Sequence, residues 1–151
     1  LATTISDKCN LIFLKQIIKL IRNFKNKKIF VFKSQKNSTK NIIWTKRKPK
    51  DGKIDWSNKS KDIYNFVRAL NEPYPGAFTF TEKTNKKLII DKCREYQKES
   101  IKGIAGRIVK ILDDSFIVCT MDSSIEILKL RNQTIKSLII SGKIFVGLDL
   151  F

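Results

Sequence analysis

The chain has 151 residues, enough to bury one core, with 42% hydrophobic and 30% charged residues, a balance that excludes a wholly disordered polypeptide. Its formal net charge is +17, from 31 Lys and Arg against 14 Asp and Glu, which favours polyanionic partners. Only six of those cations are Arg, and Lys-rich charge is as much a mark of solvated faces as of phosphate recognition.

Ser6 or Asp7 is a candidate helix cap, and Leu11, Leu14, Ile18 and Ile21 then recur at helical spacing opposite Lys15, Lys19 and Arg22, predicting a helix over 7–24. Ile29 to Phe32 form a short apolar run, a strand or a buried extended segment. From Lys33 to Lys53 the composition turns to Lys, Asn, Ser, Pro and Gly, and reads as a connector. A second helix is predicted over 60–70, where Ile63, Phe66, Val67 and Leu70 make one apolar face, ended by Pro73 and Pro75. Strand-like runs follow at 77–80, 87–90, 104–111, 116–121 and 125–130, with two further candidates at 135–140 and 144–150. Asp113-Asp114-Ser115 and Asp122-Ser123-Ser124 supply turns between them. The expected class is α+β, with a small antiparallel barrel or sandwich from Pro75 to the end.

Chemistry-bearing patterns are sparse. Cys9, Cys93 and Cys119 are far apart in a chain without histidine, so neither a zinc site nor a disulfide framework is expected, and reduced thiols in a cytoplasmic protein are. No metal spacing, phosphate loop or nucleophile elbow is present. No apolar run reaches the roughly 18 residues of a membrane helix, and the start lacks the order of a signal peptide. Asp113-Asp114 is explained by its turn.

Three segments carry a resemblance: Lys46-Arg47-Lys48-Pro49-Lys50-Asp51-Gly52-Lys53-Ile54-Asp55-Trp56, then Ile63-Tyr64-Asn65-Phe66-Val67-Arg68-Ala69-Leu70, then Pro73-Tyr74-Pro75-Gly76-Ala77-Phe78-Thr79. Together they resemble the junction and C-terminal domain of the 10-formyltetrahydrofolate-dependent formyltransferases, the family of methionyl-tRNA formyltransferase and the nucleotide-sugar N-formyltransferases. The resemblance implies that residues 1–45 are the tail of a Rossmann-like N-terminal domain with its connector, and that 46–151 are the C-terminal domain, with a linker helix at 60–70 and an OB-like barrel at 75–151. It implies 10-formyltetrahydrofolate as donor for the intact protein, with no cofactor bound by this chain. The family's catalytic Asn, His and Asp lie in the N-terminal domain, and a chain without His inherits no catalytic position.

The same resemblance places Lys46, Arg47, Lys48, Arg68 and Tyr74 near the acceptor. Each has a structural alternative: the basic run as a solvated linker, Arg68 paired with Asp55 or capping carbonyls, and Tyr74, like Trp56 and Phe78, as packing. The acceptor is a nucleotide-linked amino sugar or initiator tRNA. The short stretch after Phe80, about 70 residues, and the Pro-Gly-Ala-Phe turn favour the sugar; the charge favours tRNA. A different class stays open, a stand-alone basic module binding single-stranded nucleic acid, which needs exposed aromatics, whereas Phe78, Phe80, Phe116 and Phe145 read as buried. If the first helix has lost its sheet, its apolar face should drive aggregation or homodimer formation.

Overall fold

The computed structural model describes residues 2–28, 44–143 and 146–151. They fall into two compact units, Thr3–Arg47 and Lys48–Phe151. The first contains helix α1, Ala2–Lys25. It begins before Ser6 and Asp7, so neither caps it, and no Pro or Gly in the preceding residues stops the helix there. Lys27 ends it with φ +49, and the amides of Lys27 and Lys28 return to the carbonyls of Phe24 and Asn23. Leu11, Phe13, Leu14, Ile18 and Ile21 are all exposed. The apolar run 29–32 and most of the expected connector lie outside the described residues, and no helix among the described residues is long and apolar enough to cross a membrane.

The second unit is a five-stranded, wholly antiparallel sheet with helices against it. A single 3-10 turn at Pro49–Gly52, which the connector reading missed, leads into α2, Ser60–Leu70, with the predicted limits. Strands β1 Ala77–Phe80, β2 Lys87–Glu95, β3 Ile108–Ile111, β4 Phe116–Cys119 and β5 Ser124–Leu130 pair in the order β1-β2-β5-β4-β3. Strand β2 is the hub: Leu88 and Ile90 pair with β1, and Cys93 and Glu95 pair with β5 beyond an irregularity at Lys92. One face of β2 (Leu88, Ile90, Cys93) joins Ile125, Ile127, Phe116, Val118 and Ile108 in the core, and α2 lays Ile63 and Val67 against it. The α2 N-terminus has no side-chain cap of its own from Lys59; instead Asp122, in the β4–β5 turn, accepts from the Ser60 amide at 2.8 Å.

Several expectations are corrected. Residues 135–140 form a helix, α3 (Ile135–Ile140), because Ile135 and Leu138 repeat at three and bury together, a period a strand cannot turn to one face. The closed barrel is not formed either: β1 and β3 are edges of an open sheet, with no ladder between them. Strand β3 also begins at Ile108, after Gly106 at φ +88, and leaves Ile104 exposed. Across the gap between the two edges runs a single segment. The Phe151 amide and carbonyl exchange hydrogen bonds with Phe80, the Leu150 amide donates to Gly106, and Ile108 donates to Leu148. Arg107 grips Asp149 with two bonds of 2.7 and 2.8 Å. Of the strand expected at 144–150, the described part makes only isolated bridges, to Thr81 and Arg107.

A β-carbon on Gly106 would run into the Leu150 carbonyl oxygen, and its φ is one that side chains resist. Gly106→Ala is expected to cost about 2 kcal/mol or more in urea denaturation. Gly142→Ala, at φ +65 with nothing within 4 Å, bears only the backbone cost. Equal losses in the two variants would show that the spanning segment does not pin the sheet edges.

Candidate functional site

The junction is built from the linker upward. Pro49 opens the 3-10 turn, where its missing amide costs nothing, and the Lys48 amide donates to the Asp51 carboxylate at 2.7 Å. Gly52 follows because a β-carbon there would lie 2.7 Å from the Gly76 carbonyl oxygen. The chain then runs parallel to β1: Lys53 bridges Phe78, and the Ile54 amide donates to the Phe78 carbonyl at 2.7 Å. Trp56 is buried, its indole donating to the Thr79 hydroxyl at 3.0 Å, and that hydroxyl donates to the Phe151 carbonyl at 3.1 Å.

The turn after α2 is held by one arginine. Arg131, just beyond β5, donates from Nε and Nη2 to Asp91 Oδ1 at 2.9 and 2.7 Å, with side chains only 17% and 12% exposed. Its Nη1 donates to the carbonyls of Tyr74 and Pro75, both at 3.2 Å. Asn71 completes the clamp, donating to the Asp91 carbonyl at 2.8 Å and accepting from the Glu72 amide at 2.7 Å. Gly76, at φ +92, leaves room for the guanidinium. Sequence reading missed this clamp, since nothing in Leu130-Arg131-Asn132 signals a partner 40 residues earlier.

The structure distributes the sequence-predicted residues unevenly. Lys46 and Arg47 belong to the first unit, while Lys48, Arg68 and Tyr74 lie in the second, all five exposed. Arg68 does not reach Asp55; its guanidinium sits 5.1 Å from the Tyr64 ring centroid and within 3.4 Å of the Asn65 side chain, one turn back on its own helix. Asp55 instead accepts from the amide and hydroxyl of Ser57, which hold its carboxyl below the usual range. Trp56 and Phe78 are packing, as expected, but Tyr74 is 51% exposed, because the clamp takes its carbonyl and leaves the ring outside. Phe116 is buried, Phe80 is half-buried and Phe145 lies outside the described residues.

Two open grooves flank the linker. One of about 350 Å³ runs between Asp51, Asp55 and Asn58 on one side and Asp62 and Phe66 on the other. A second, about 500 Å³, runs from Lys53 and Trp56 to Ala105 and Phe151. Of the carboxylates that line them, Asp51 accepts from the Lys48 amide and Asp55 from Ser57. Burial pushes the Cys93 thiol up to about 12 and raises Cys119, so neither is a thiolate at neutral pH. Among the described residues no group of three or more metal-ligating side chains gathers.

A family model, "Formyl transferase, C-terminal domain", matches residues 46–142, the linker, α2, the sheet and α3. The chain belongs to this family. A 49-residue stretch, 32% of the chain, is 51% identical to the bifunctional polymyxin resistance protein ArnA of Wigglesworthia glossinidia brevipalpis, of which it covers 7%. Over 90 residues, 60% of the chain, identity to the methionyl-tRNA formyltransferase of Mycoplasma capricolum is 31%, covering 28% of that protein. The chain thus spans well under a third of the length of either relative. Crystal structures of HypX from Aquifex aeolicus share the fold over 87% of this chain and about a quarter of theirs, with a TM-score of 0.61 at 17% identity in one variant and 0.58 at 19% in the complex with tetrahydrofolic acid.

Removing the clamp tests how the formyltransferase junction is held. Arg131→Met leaves the Asp91 carboxylate desolvated and unpaired, and is expected to lose about 3 kcal/mol in thermal or urea unfolding. A loss within the range of exposed pairs would mean that the turn holds itself.

Acid stability tests the sheet. Glu126, in β5 and only 3% exposed, accepts from Arg94 at 2.7 Å and Ser115 at 2.7 Å. Burial pushes its carboxyl up, but these hydrogen bonds and the Arg94 charge together outweigh it and hold the carboxyl below its ordinary 4.5. The stabilisation is therefore complete above that ordinary value and is lost as pH falls through the lower folded-state value. Glu126→Gln is expected to shrink the difference in urea midpoint between pH 7 and pH 3; an unchanged difference would count against a charged Glu126 in the folded sheet.

Proposed function

We propose that this chain is the acceptor-side C-terminal part of an enzyme that moves a formyl group from 10-formyltetrahydrofolate to an amine, and that the amine belongs to a nucleotide-linked amino sugar. The family match over residues 46–142 carries the reading. The folate donor follows from the family, and a neighbour of the same fold has been crystallised with tetrahydrofolic acid. The sugar acceptor is supported by the form of the Pro73–Phe78 turn. The 90-residue similarity to a methionyl-tRNA formyltransferase and the charge of +17 favour a second acceptor, initiator tRNA.

The chain's part in the reaction is to bind and orient. A neutral amine attacking the formyl carbon must shed a proton while an oxyanion forms, which needs a base and a fixed donor. This chain has no histidine and its Cys93 thiol is held protonated, so we assign neither group to it. Those groups belong to an N-terminal Rossmann-like domain, of which α1 is the closing helix and whose sheet its exposed apolar face would cover. Lys46, Arg47 and Lys48 meet the acceptor's phosphates, and Arg68 and Tyr74 are further acceptor contacts. The reaction takes place in the cytoplasm, where its three free thiols stay reduced.

Given 10-formyltetrahydrofolate and either acceptor, the 151-residue chain is expected to transfer no formyl group, and its fusion behind a formyltransferase N-terminal domain is expected to do so. In the fusion, charge reversal at Lys46, Arg47 and Lys48 should raise the acceptor KM roughly tenfold or more with kcat little changed. Turnover by the chain alone would overturn this division of labour.

A further inference from the structure

We infer that residues 97–105, between β2 and β3, form a strap that opens and closes over the second face of the sheet while the core stays folded, and that it gates the Cys119 thiol. The sheet is covered on both faces, by different means. Phe116 and Val118 of β4 enter the core with Ile125 and Ile127 of β5, and the apolar residues that α2 and α3 bury join the same cluster. Because strands alternate, Ile117 and Cys119 point the other way, as do their cross-strand partners Glu126 and Ser124. These residues are at most 3% exposed, although the helices pack on the opposite face. The strap supplies their cover. The Ser124 hydroxyl donates to the Ile101 carbonyl at 3.1 Å. The Gly103 backbone lies so close above the thiol that a β-carbon there would sit 3.1 Å from Cys119 Sγ and 3.9 Å from Val109 Cγ1. Lys110, the partner of Ile117 on this face, donates to Glu99 at 2.8 Å.

The two ends of the strap are fixed and its middle is not. At one end Tyr96 is buried and its amide donates to the Ser124 carbonyl at 3.1 Å. At the other, Gly106 donates to the Cys119 carbonyl and accepts from the Leu150 amide, both at 2.9 Å. Between them every residue is exposed except Ile101 and Ala105, which are half-buried. The Ile101 amide turns back to the Glu99 carbonyl at 3.1 Å, inside the strap and not onto the sheet. An exposed ion pair such as Lys110–Glu99 adds little. A segment that buries so little apolar surface opens at a fraction of the free energy of global unfolding. Closed, it covers the Cys119 thiol, whose titration burial also raises, and open, it leaves an ordinary reactive thiol at the end of β4.

The three free cysteines make the test internal: Cys9 is exposed, Cys119 lies under the strap and Cys93 lies in the core cluster. The 151-residue chain is labelled with N-ethylmaleimide, and each site is followed by peptide mass spectrometry without urea and in mild urea. Cys9 is expected to react first, Cys119 next and Cys93 last, with Cys119 roughly tenfold or more ahead of Cys93. Mild urea should accelerate Cys93 steeply and Cys119 little, since the urea dependence follows the surface that each opening exposes. Ser124→Ala, which removes one strap hydrogen bond, should speed Cys119 about fivefold. Glu99→Gln should speed it about twofold, and Cys93 should keep its rate in both variants. Reaction of Cys119 and Cys93 at one rate with one urea dependence would mean that only global unfolding uncovers this face. Reaction of Cys119 as fast as Cys9 would mean that no closed strap exists. Either result overturns the proposal, as does a pair of variants that leave Cys119 unchanged or accelerate both buried thiols alike.

Discussion

A four-residue edge strand cannot be left bare, and most of the β unit is arranged around that requirement. Strand β1 shares its inner edge with β2, so its outer edge would present unpaired amides and carbonyls to water or to another chain. Two separate segments cover it. The linker donates the Ile54 amide to Phe78, and the C-terminal residues pair Phe151 with Phe80. Thr79, fully buried between these two, uses its hydroxyl to accept from Trp56 and donate to Phe151. One side chain thereby ties linker, edge strand and C-terminal segment together, and Trp56, Phe78 and Leu150 become core only because those three ties exist.

The same economy of polar contacts appears at the other ends of the sheet. Asp122 serves α2 from a loop 62 residues away. Asp149 ties the spanning segment to Arg107, and Arg107 and Asp149 shift each other's titration toward the charged pair. Each of these ion-pair or cap contacts joins elements that are distant in sequence, so each adds to the cooperativity of the unit more than to its local helix or strand stability. A protein with so large a net positive charge also gains from keeping its few carboxylates paired: Glu126, Asp91 and Asp149 all face arginine, and the surplus lysines are left for solvent or for anions.

Local patterning foretold most elements. Helix α2 was readable because Ile63 and Val67 sit on the only face that can bury, and the strands because Val, Ile and Phe runs were broken by Asp-Ser turns. The failures have identifiable causes. Ile135 to Ile140 contains the same residue types as the strands, and only the spacing of its buried pair, three apart, distinguishes a helix; on a six-residue run that signal is too short to win against β-branched composition. The open sheet was misread as a barrel because closure depends on whether the last segment forms a ladder or a few bridges, a matter of Gly147 and Gly106 backbone angles that composition does not encode. At the site, Tyr74 was grouped with Trp56 as packing since both are large aromatics; what separates them is the arginine that takes the Tyr74 carbonyl, a contact no short-range pattern announces.

That contact changes what the junction motif means. In Pro73-Tyr74-Pro75-Gly76-Ala77-Phe78, two carbonyls are engaged by Arg131, Gly76 supplies a backbone angle and the space beside the guanidinium, Ala77 is fully buried and Phe78 seals the linker. Asp51-Gly52 and Trp56 are likewise spent on the turn and the core. Among the residues that carry the family resemblance, those left exposed with polar or aromatic groups include Lys46, Arg47, Lys48, Lys50, Lys53, Asn65, Arg68 and Tyr74. The motif therefore specifies how the C-terminal domain of this chain is folded onto its linker. On the proposed reading, acceptor contact is left to the few outward side chains, whose positions the buried motif fixes.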